Sequence, residues 1–345
     1  MSTITIGSLS VGVGEKKHGE LVLAQRAISR LSTPITVIRG KKPGPTLAVI
    51  AGEHGCEYCG ITAAVKLCSD MKPEQITGTL VIVPLVNIPA FEARSTYVNP
   101  VDTVNIWSAY PGDTEGSISY SMTKTIFDEV VLKSNYVVHL HGGDANEATI
   151  PYAYFSVTGN KKVDEASEAM ARSFPVDFIL PMIEGKTAES LKGSPKGTSY
   201  TTSAEGCLYR EASIRGIPGA LCESGRDGKI EREFVDLHYT GVLNVMRYLG
   251  MIEGKPSINT KARIMKEPQA LVSAHKGGLY LASAEIGQEV KKGQVLGEIL
   301  NLHGEVVETL RSPIDGVLIC RSNYAAVDAN PLPSCPYLFY ITQVE

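Results

Sequence analysis

Residues 46–57 read TLAVIAGEHGCE, and this stretch decides the fold. It begins with a continuous apolar run, which is typical of a strand buried on both faces. The run ends at a glycine, and the pattern over residues 57–71 then predicts a helix. A buried strand leading directly into a helix indicates an α/β layer, in which ligand sites lie beyond the carboxyl ends of the strands.

Three more apolar runs extend this pattern along the chain. They predict strands at residues 79–86, 136–141 and 219–223, with helical stretches near residues 117–133 and 231–249. Strands that alternate with helices predict a mixed, mostly parallel sheet flanked by helices.

The C-terminal part has a different pattern of short segments broken by glycines. It includes GQEVKKGQ at residues 287–294 and SPIDGV at residues 312–317. This pattern predicts a small all-β domain and is similar to the biotinyl/lipoyl carrier fold. A carrier would need a lysine at the exposed hairpin turn, where this chain has LNLHG at residues 300–304. The resemblance is therefore one of fold and not of cofactor attachment.

Length and charge limit the function classes. A chain of 345 residues favours one large domain and one smaller one, predicted as a catalytic α/β domain over residues 1–255 and a β domain over residues 262–345. The net charge of −4, with no run of Lys or Arg, gives no reason to expect a nucleic acid or an anionic membrane as partner. No signal peptide or membrane-spanning stretch is recognisable, so a cytoplasmic location is expected.

The cysteines favour reduced thiols over a disulfide framework. Seven are scattered through the chain, an odd number in a large protein. Cys56 and Cys59 have a C-x-x-C spacing, but no second pair accompanies them. We interpret them as small buried thiols beside a site and not as a redox or metal pair.

His54 and Glu57 are candidate metal ligands. Three residues apart across the first turn of a helix, their side chains can face one point. The spacing alone is a weak signal, because a surface turn with a glutamate at a helix N-terminus looks the same. The segment VHLHGGD at residues 138–144 offers a third ligand. His141, at the strand end, is preferred over His139, which would lie deeper in a core or supporting role. Two imidazoles and a carboxylate suit a single Zn²⁺ with a position left open for water, as in hydrolytic sites.

Glu223 is a candidate general base. It ends the predicted strand at residues 219–223, and burial beside apolar neighbours would raise the pKa of its carboxyl group towards a useful range. The alternative is a carboxylate that caps the following turn.

These segments together resemble a known family. The motifs are G-x-H-G-x-E at residues 52–57, LHGG at residues 140–143 and G-I-P-x₄-E-x-G at residues 216–225, followed by a glycine-rich β tail. In this order they resemble the succinylglutamate desuccinylase/aspartoacylase family, zinc hydrolases of carboxypeptidase-like α/β fold that cleave amide bonds of N-acylated amino acids. The resemblance implies one zinc ion per chain, a β domain flanking the active-site entrance, and Glu223 as general base and acid. The zinc ligands would be His54, Glu57 and His141.

The chain departs from the family around the substrate. His139 stands where members usually carry an aspartate, and Trp107-Ser108 replaces the Asn-Arg pair that grips a carboxylate. The family arginine that polarises the scissile carbonyl falls near Thr96. Arg94 would share its face if the segment is extended, and is the candidate for this catalytic role. The alternative for Arg94 is a solvated surface position.

The loss of this clamp bears on the substrate. Either another cation supplies it, from Arg210, Arg215 or Arg226, or the substrate is less anionic than is usual in the family. Aromatic residues nearby predict a wall for an apolar or cationic group, although Trp107 packed under a loop is an equal alternative. The predicted substrate-binding residues are Tyr97, Asn105, Trp107 and Ser108, with Tyr110 nearby.

The sequence therefore predicts a zinc-dependent deacylase acting on a small N-acylated amino acid or related amide. The alternatives are a carboxypeptidase-like peptidase and a non-catalytic relative that binds a small ligand. The acyl group, the amine and association into a homo-oligomer are left open.

Overall fold

The computed structural model describes residues 3–183, 198–201, 205–329 and 337–345, without the side chains of residues 198–201 and 267–268. The strands of the N-terminal half are β1 (Ile4–Ile6), β2 (Leu9–Val11), β3 (Lys16–Gln25), β4 (Arg30–Arg39), β5 (Lys42–Ala51), β6 (Thr77–Val83), β7 (Tyr136–His141), β8 (Glu147–Thr149), β9 (Tyr152–Val157) and β10 (Phe178–Ile183). The later strands are β11 (Thr198–Thr201), β12 (Gly219–Glu223), β13 (Arg263–Val272), β14 (Gly278–Ala282), β15 (Glu289–Val290), β16 (Val295–Leu300), β17 (Val306–Arg311), β18 (Gly316–Ser322), β19 (Ala326–Val327) and β20 (Phe339–Val344). The α-helices are α1 (Tyr58–Asp70), α2 (Ile88–Ala93), α3 (Ile118–Ile126), α4 (Lys161–Ala171), α5 (Leu208–Ser213) and α6 (Arg232–Tyr248). Short 3₁₀ turns at Pro73–Gln75 and Ile106–Ser108 and a π-helical turn at Phe127–Val131 complete the elements.

Four parallel strands form the centre of the sheet, in the order β6-β5-β7-β12. Their apolar runs are buried on both faces, which is why they appear as continuous hydrophobic stretches in the sequence. The predicted strands and helices here are confirmed, except that β6 ends at Val83 and not at residue 86.

Helices cover both faces of this centre. On one face α1 and α6 pack on alternate residues of β5, including Leu47 and Val49, and on the other α3 and α5 pack on Ala48 and Ile50. Helix α1 buries Cys59, Ala63, Ala64 and Leu67, the spacing of one helical face. Parallel strands between two helical layers bring their carboxyl ends to one edge, where β5, β7 and β12 end at Ala51, His141 and Glu223.

Antiparallel strands extend the sheet at both sides of the centre. Strand β4 pairs with β6 on one side and with β3 on the other, and β9 pairs antiparallel with β12 but parallel with β10. The sheet is therefore mixed, as predicted, although the strands at the N-terminus and at residues 152–183 were not predicted.

The C-terminal strands continue the same sheet. Strand β13 pairs parallel with β10, and β18 pairs with β8. The strands β17-β16-β14-β19 form a separate four-stranded sheet. The C-terminal part is all-β, as predicted. The main sheet nevertheless continues across the predicted boundary at residue 262. The division into two domains and the likeness to a biotinyl/lipoyl fold stay predictions.

No helix in the described part of the chain is both long and apolar enough to cross a lipid bilayer.

Candidate active site

A turn after β5 places the first two candidate ligands. Gly52 adopts φ 70°, and a Cβ there would lie 2.7 Å from the Leu85 side chain. Glycine is therefore required for the chain to leave the strand in this direction. His54 follows the turn, and Glu57 is the N-cap residue of α1 without capping the helix through its side chain. Its carboxylate turns instead towards the histidines.

His54, Glu57 and His141 meet at one point. Nδ1 of His54 lies 2.6 Å from Glu57 Oε1, and Nδ1 of His141 lies 2.9 Å from Glu57 Oε2. The second contact is close but is not aligned as a hydrogen bond, since both atoms lack a hydrogen-bond partner. Ligand atoms around a metal ion have this relation, because each points at the ion and not at its neighbour. The three residues are all buried.

The other nitrogen of each imidazole meets a supporting residue. Nε2 of His54 lies 3.0 Å from Asn105 Oδ1. Nε2 of His141 lies 3.3 Å from Glu53 Oε2 and 2.9 Å from His139 Nε2. Metal-binding histidines typically use such contacts to fix the orientation of the ring.

Glu53, His139 and His141 form a second group of potential ligands. It shares His141 with the first group but uses Nε2 where the first uses Nδ1. Glu53 and His139 are fully buried and do not line the cavity, whereas His54 and Glu57 do. Because hydrolysis needs access for a substrate, the first group is the candidate catalytic site and the second supports it.

The electrostatic field at the first group favours a cation. Burial acts against a charged imidazole, but the Glu57 carboxylate outweighs it and raises the pKa of His54 to about 9. Burial acts against the Glu57 carboxylate as well, but His141 and His54 lower its pKa to about 2. Behind them, burial and the neighbouring His141 hold the pKa of His139 well below its usual value, so that this ring is neutral.

Glu223 lies beside this group. It ends β12 directly opposite His141 of β7 in the parallel register, and its side chain lines the cavity. Burial raises the pKa of its carboxyl group well above the usual value, against the opposing effect of His141. A carboxyl group with a raised pKa at a cavity wall is suited to accept and return a proton.

The cavity at this edge of the sheet has a volume of about 220 Å³ and is mainly aromatic. Its wall joins the catalytic layer to the C-terminal strands, since Leu271 of β13 and Tyr340 of β20 both contribute. Its aromatic lining residues are Tyr97, Trp107, Tyr152, Tyr154, Tyr337 and Tyr340.

Comparison with known families identifies the architecture. The model of the succinylglutamate desuccinylase/aspartoacylase catalytic domain matches residues 43–249, more than half of the chain. The chain belongs to this family. The predicted resemblance is confirmed.

Individual relatives agree with this assignment. An N-alpha-acetyl-L-2,4-diaminobutyric acid deacetylase from Halomonas elongata is 28% identical over 322 residues, covering 90% of this chain and 88% of the relative. A succinylglutamate desuccinylase from a Silicibacter species superposes with a TM-score of 0.79 at 22% identity, covering 96% of this chain and 95% of the other. The product-bound structure of an ectoine utilization protein from Ruegeria pomeroyi gives 0.79 at 21% identity and 95% coverage of both chains. The solved structures confirm the α/β fold, and the family places the chain among amide-hydrolysing enzymes.

Three of the four predicted substrate-binding residues line the cavity of this family member: Tyr97, Asn105 and Trp107. The Trp107 ring packs edge-on against the His141 ring at 5.3 Å, so it both supports the site and forms part of its wall. Asn105 also accepts from the backbone N–H of Trp107, which orients its oxygen towards His54. Ser108 lies instead in a separate surface cavity with Tyr110, so the geometry gives its predicted role no support.

Arg94 is not in the extended segment that its predicted role required. It ends α2 with φ 56°, is exposed, and is not among the described residues lining the cavity. The condition of an extended segment is not met, because Asn87 caps a helix there by accepting from the N–H of Ala90. The catalytic role of Arg94 stays a prediction without geometric support.

The three arginines considered as replacement clamps bind glutamates elsewhere. Arg210 and Arg215 both pair with Glu211, and Arg226 pairs with Glu231. None of the three is among the described residues that line the cavity.

Cys56 and Cys59 are buried free thiols, as interpreted. Burial raises the pKa of Cys56 to about 11, and also raises that of Cys59. Thiols with raised pKa values are poor nucleophiles at neutral pH.

Sequence reasoning missed Glu147 and four of the tyrosines in the cavity wall. Glu147 is only six residues beyond His141, and a polar residue so soon after a strand end was an available signal. The tyrosines at positions 152, 154, 337 and 340 come from strands and a segment that were not individually predicted, and no local signal marked them.

Proposed function

We propose that this chain is a zinc-dependent deacylase that hydrolyses the amide bond of a small N-acylated amino acid or related amide. The observation that carries the proposal is the convergence of His54, Glu57 and His141 on one point, beside a cavity that His54, Glu57 and Glu223 line.

The donor set supports zinc. Two neutral imidazoles and one carboxylate are ligands that Zn²⁺ prefers, and three protein ligands are typical of catalytic sites. The unpartnered Nδ1 of His141 and Oε2 of Glu57 are buried atoms that a metal ion would satisfy. When bound, zinc supplies Lewis acidity, which polarises a carbonyl group and makes a water molecule more acidic.

The chain's own residues supply the proton transfers and the shape of the site. In the proposed reaction, Glu223 accepts a proton from the attacking water at its carboxylate and later delivers it to the nitrogen of the departing amine. Asn105 holds the His54 ring through Nε2 of that ring, and the Glu53 carboxylate lies 3.3 Å from Nε2 of His141. Trp107 and Tyr97 exclude bulk water from the wall next to His54 and His141.

Substitution of Glu223 tests the proposal. We expect Glu223→Gln to retain bound zinc but to lose about 100- to 10,000-fold in kcat on a hydrolysed N-acetyl amino acid, because the amide cannot accept the proton. Glu308→Gln is the matched control, since Glu308 is a partly buried carboxylate that accepts several hydrogen bonds in the separate four-stranded sheet.

Metal content and hydrolysis must be measured on the same preparations. Zinc-loaded wild-type protein that hydrolyses no N-acyl amino acid, whether the side chain is acidic, neutral or basic, would contradict the proposal and favour a ligand-binding relative. Retained activity in Glu223→Gln would contradict the assignment of the base alone.

A further inference from the structure

Glu147 lies in the cavity wall at a defined distance from the candidate metal ligands. The Tyr97 ring packs edge-on against the His54 ring at 5.1 Å, and its hydroxyl donates to Glu147 Oε2 at 2.8 Å. Glu147 is therefore separated from His54 by about the length of one tyrosine side chain. A group bound at Glu147 would belong to the same small molecule whose amide lies at the metal site.

The Glu147 carboxylate is held by neutral donors. Besides Tyr97, the hydroxyl of Tyr337 and the thiol of Cys320 donate to its Oε1 atom. Two of these donors come from C-terminal residues, and Glu147 is itself fixed by the pairing of β8 with β18. Three donors converging on one carboxylate hold it in a single orientation.

No lysine or arginine balances this carboxylate in the part of the chain that the structure describes. Glu147 is only 7% exposed, yet none of the described Lys or Arg residues pairs with it or lines the cavity. The other lining carboxylates are Glu57, which faces His54 and His141, and Glu223. Because a buried carboxylate without a counterion is costly, the cavity favours a ligand that brings a positive charge.

The aromatic wall suits the same ligand. Tyr152 and Tyr154 are joined through their hydroxyls at 2.7 Å, and both line the cavity with Tyr340. Such rings pack against methylene groups and attract an ammonium group over their faces. An anionic side chain would instead meet Glu147 without a described lysine or arginine to receive it.

We propose that Glu147 binds a positively charged amine at the far end of the substrate, so that the enzyme acts on mono-acylated diamino compounds and not on acylated acidic amino acids. The proposal rests on the deacylase function proposed above and adds the residue and the charge that select the substrate. Diaminobutyric acid, in the name of the Halomonas relative, carries a side-chain amine of this kind.

Three substrates of similar size and different charge test the proposal. They are Nα-acetylornithine, Nα-acetylnorvaline and Nα-acetylglutamate, whose side chains are cationic, neutral and anionic. We expect zinc-loaded wild-type enzyme to prefer the cationic substrate over the neutral one by about 10- to 100-fold in kcat/KM, the range of a charge-assisted hydrogen bond, and to act least on the anionic one. Equal rates on the cationic and neutral substrates would overturn the proposal without any variant.

Glu147→Gln should remove the preference. We expect its kcat/KM for acetylornithine to fall about 10- to 100-fold, mainly through KM, while that for acetylnorvaline changes less than about 3-fold. Glu147→Asp, which keeps the charge, should retain part of the preference, and Glu308→Gln should leave it unchanged. An equal loss on both substrates in Glu147→Gln would show a structural role and overturn the proposal.

Binding measurements separate this proposal from the deacylase function. Calorimetric titration of Glu223→Gln protein with the three compounds reports affinity where hydrolysis is slow. Absence of hydrolysis in the wild type, combined with tighter binding of acetylornithine that Glu147→Gln abolishes, would overturn the function but retain the cation site. Hydrolysis by the wild type without selective binding of acetylornithine would retain the deacylase function and overturn the cation site.

Discussion

Each imidazole at the site uses both of its nitrogens. Nδ1 of His54 and of His141 faces Glu57, while the Nε2 atoms meet Asn105 and Glu53. These contacts explain the departure from the family pattern at His139. Where the family resemblance implies an aspartate two residues before His141, this chain has a histidine ring whose pKa is lowered by burial, and Glu53, next to His54 in the chain, places a carboxylate 3.3 Å from Nε2 of His141.

This arrangement predicts a measurable role for Glu53. We expect Glu53→Gln to lower zinc affinity by about 10- to 100-fold, because an uncharged amide orients and polarises His141 less effectively than a carboxylate. Competition with a zinc chelator measures the affinity, and Glu308→Gln serves as the control for a carboxylate outside the site. Unchanged affinity in Glu53→Gln, with the fold intact by circular dichroism, would show that Glu53 only fills space.

The candidate metal ligands could be chosen from the sequence because each depends on a local pattern. His54, Glu57 and His141 lie at the ends of apolar runs, and the ends of parallel strands share one edge of the sheet. Glu147 could not be assigned in this way. Its surroundings depend on Cys320 and Tyr337, which are more than 170 residues away in the chain and reach it only through the packing of the C-terminal strands.

At the scale of elements, the predicted helices and central strands reflect strong periodicity, and the errors occur where that signal is weak. Strand β3 is buried on one side only at Leu21 and Leu23, within a largely exposed sequence. The helix that ends at Arg94 had an available signal in the sequence, since Asn87 followed by Pro89 is a typical helix start.

Helix α6 is closely fitted to the sheet at Gly241. A Cβ at this position would lie 2.0 Å from Cδ1 of the fully buried Phe174 ring. We expect Gly241→Ala to lower the free energy of unfolding, because overpacking costs about 1–3 kcal/mol and outweighs the roughly 1 kcal/mol that alanine gains over glycine in a helix. Urea denaturation measures the change.

The matched control lies on the same helix. Thr240 is exposed, so Thr240→Ala changes helix propensity without a new contact and should leave stability unchanged or raise it by a few tenths of a kcal/mol. If the Gly241→Ala protein were as stable as the Thr240→Ala protein, the inference that a methyl group at position 241 overpacks against Phe174 would be wrong.

At the scale of the whole molecule, the candidate site lies between the two parts that the sequence divides. One hydrophobic cluster combines Tyr154 and Leu180 of the catalytic layer with Met265 and Ile319 of the C-terminal part. Strands β10 and β13 hydrogen-bond across the predicted boundary. The change in composition near residue 262 marks a change in the local sequence pattern. The sheet continues past this point because strands that are distant in the sequence pair with each other, and composition does not reveal such pairing.

This continuity predicts that the two parts unfold together. Trp107 is the only tryptophan and packs against the shared cluster, so its fluorescence reports on the junction, while far-ultraviolet circular dichroism reports on the whole chain. Because removal of the C-terminal strands would expose Tyr154 and Leu180 and leave β10 paired only with β9, we expect both signals to follow a single urea transition with one midpoint. A circular dichroism curve with two steps, only one of them matched by fluorescence, would show instead that the C-terminal part is an independent domain and that the cavity opens before the catalytic layer unfolds.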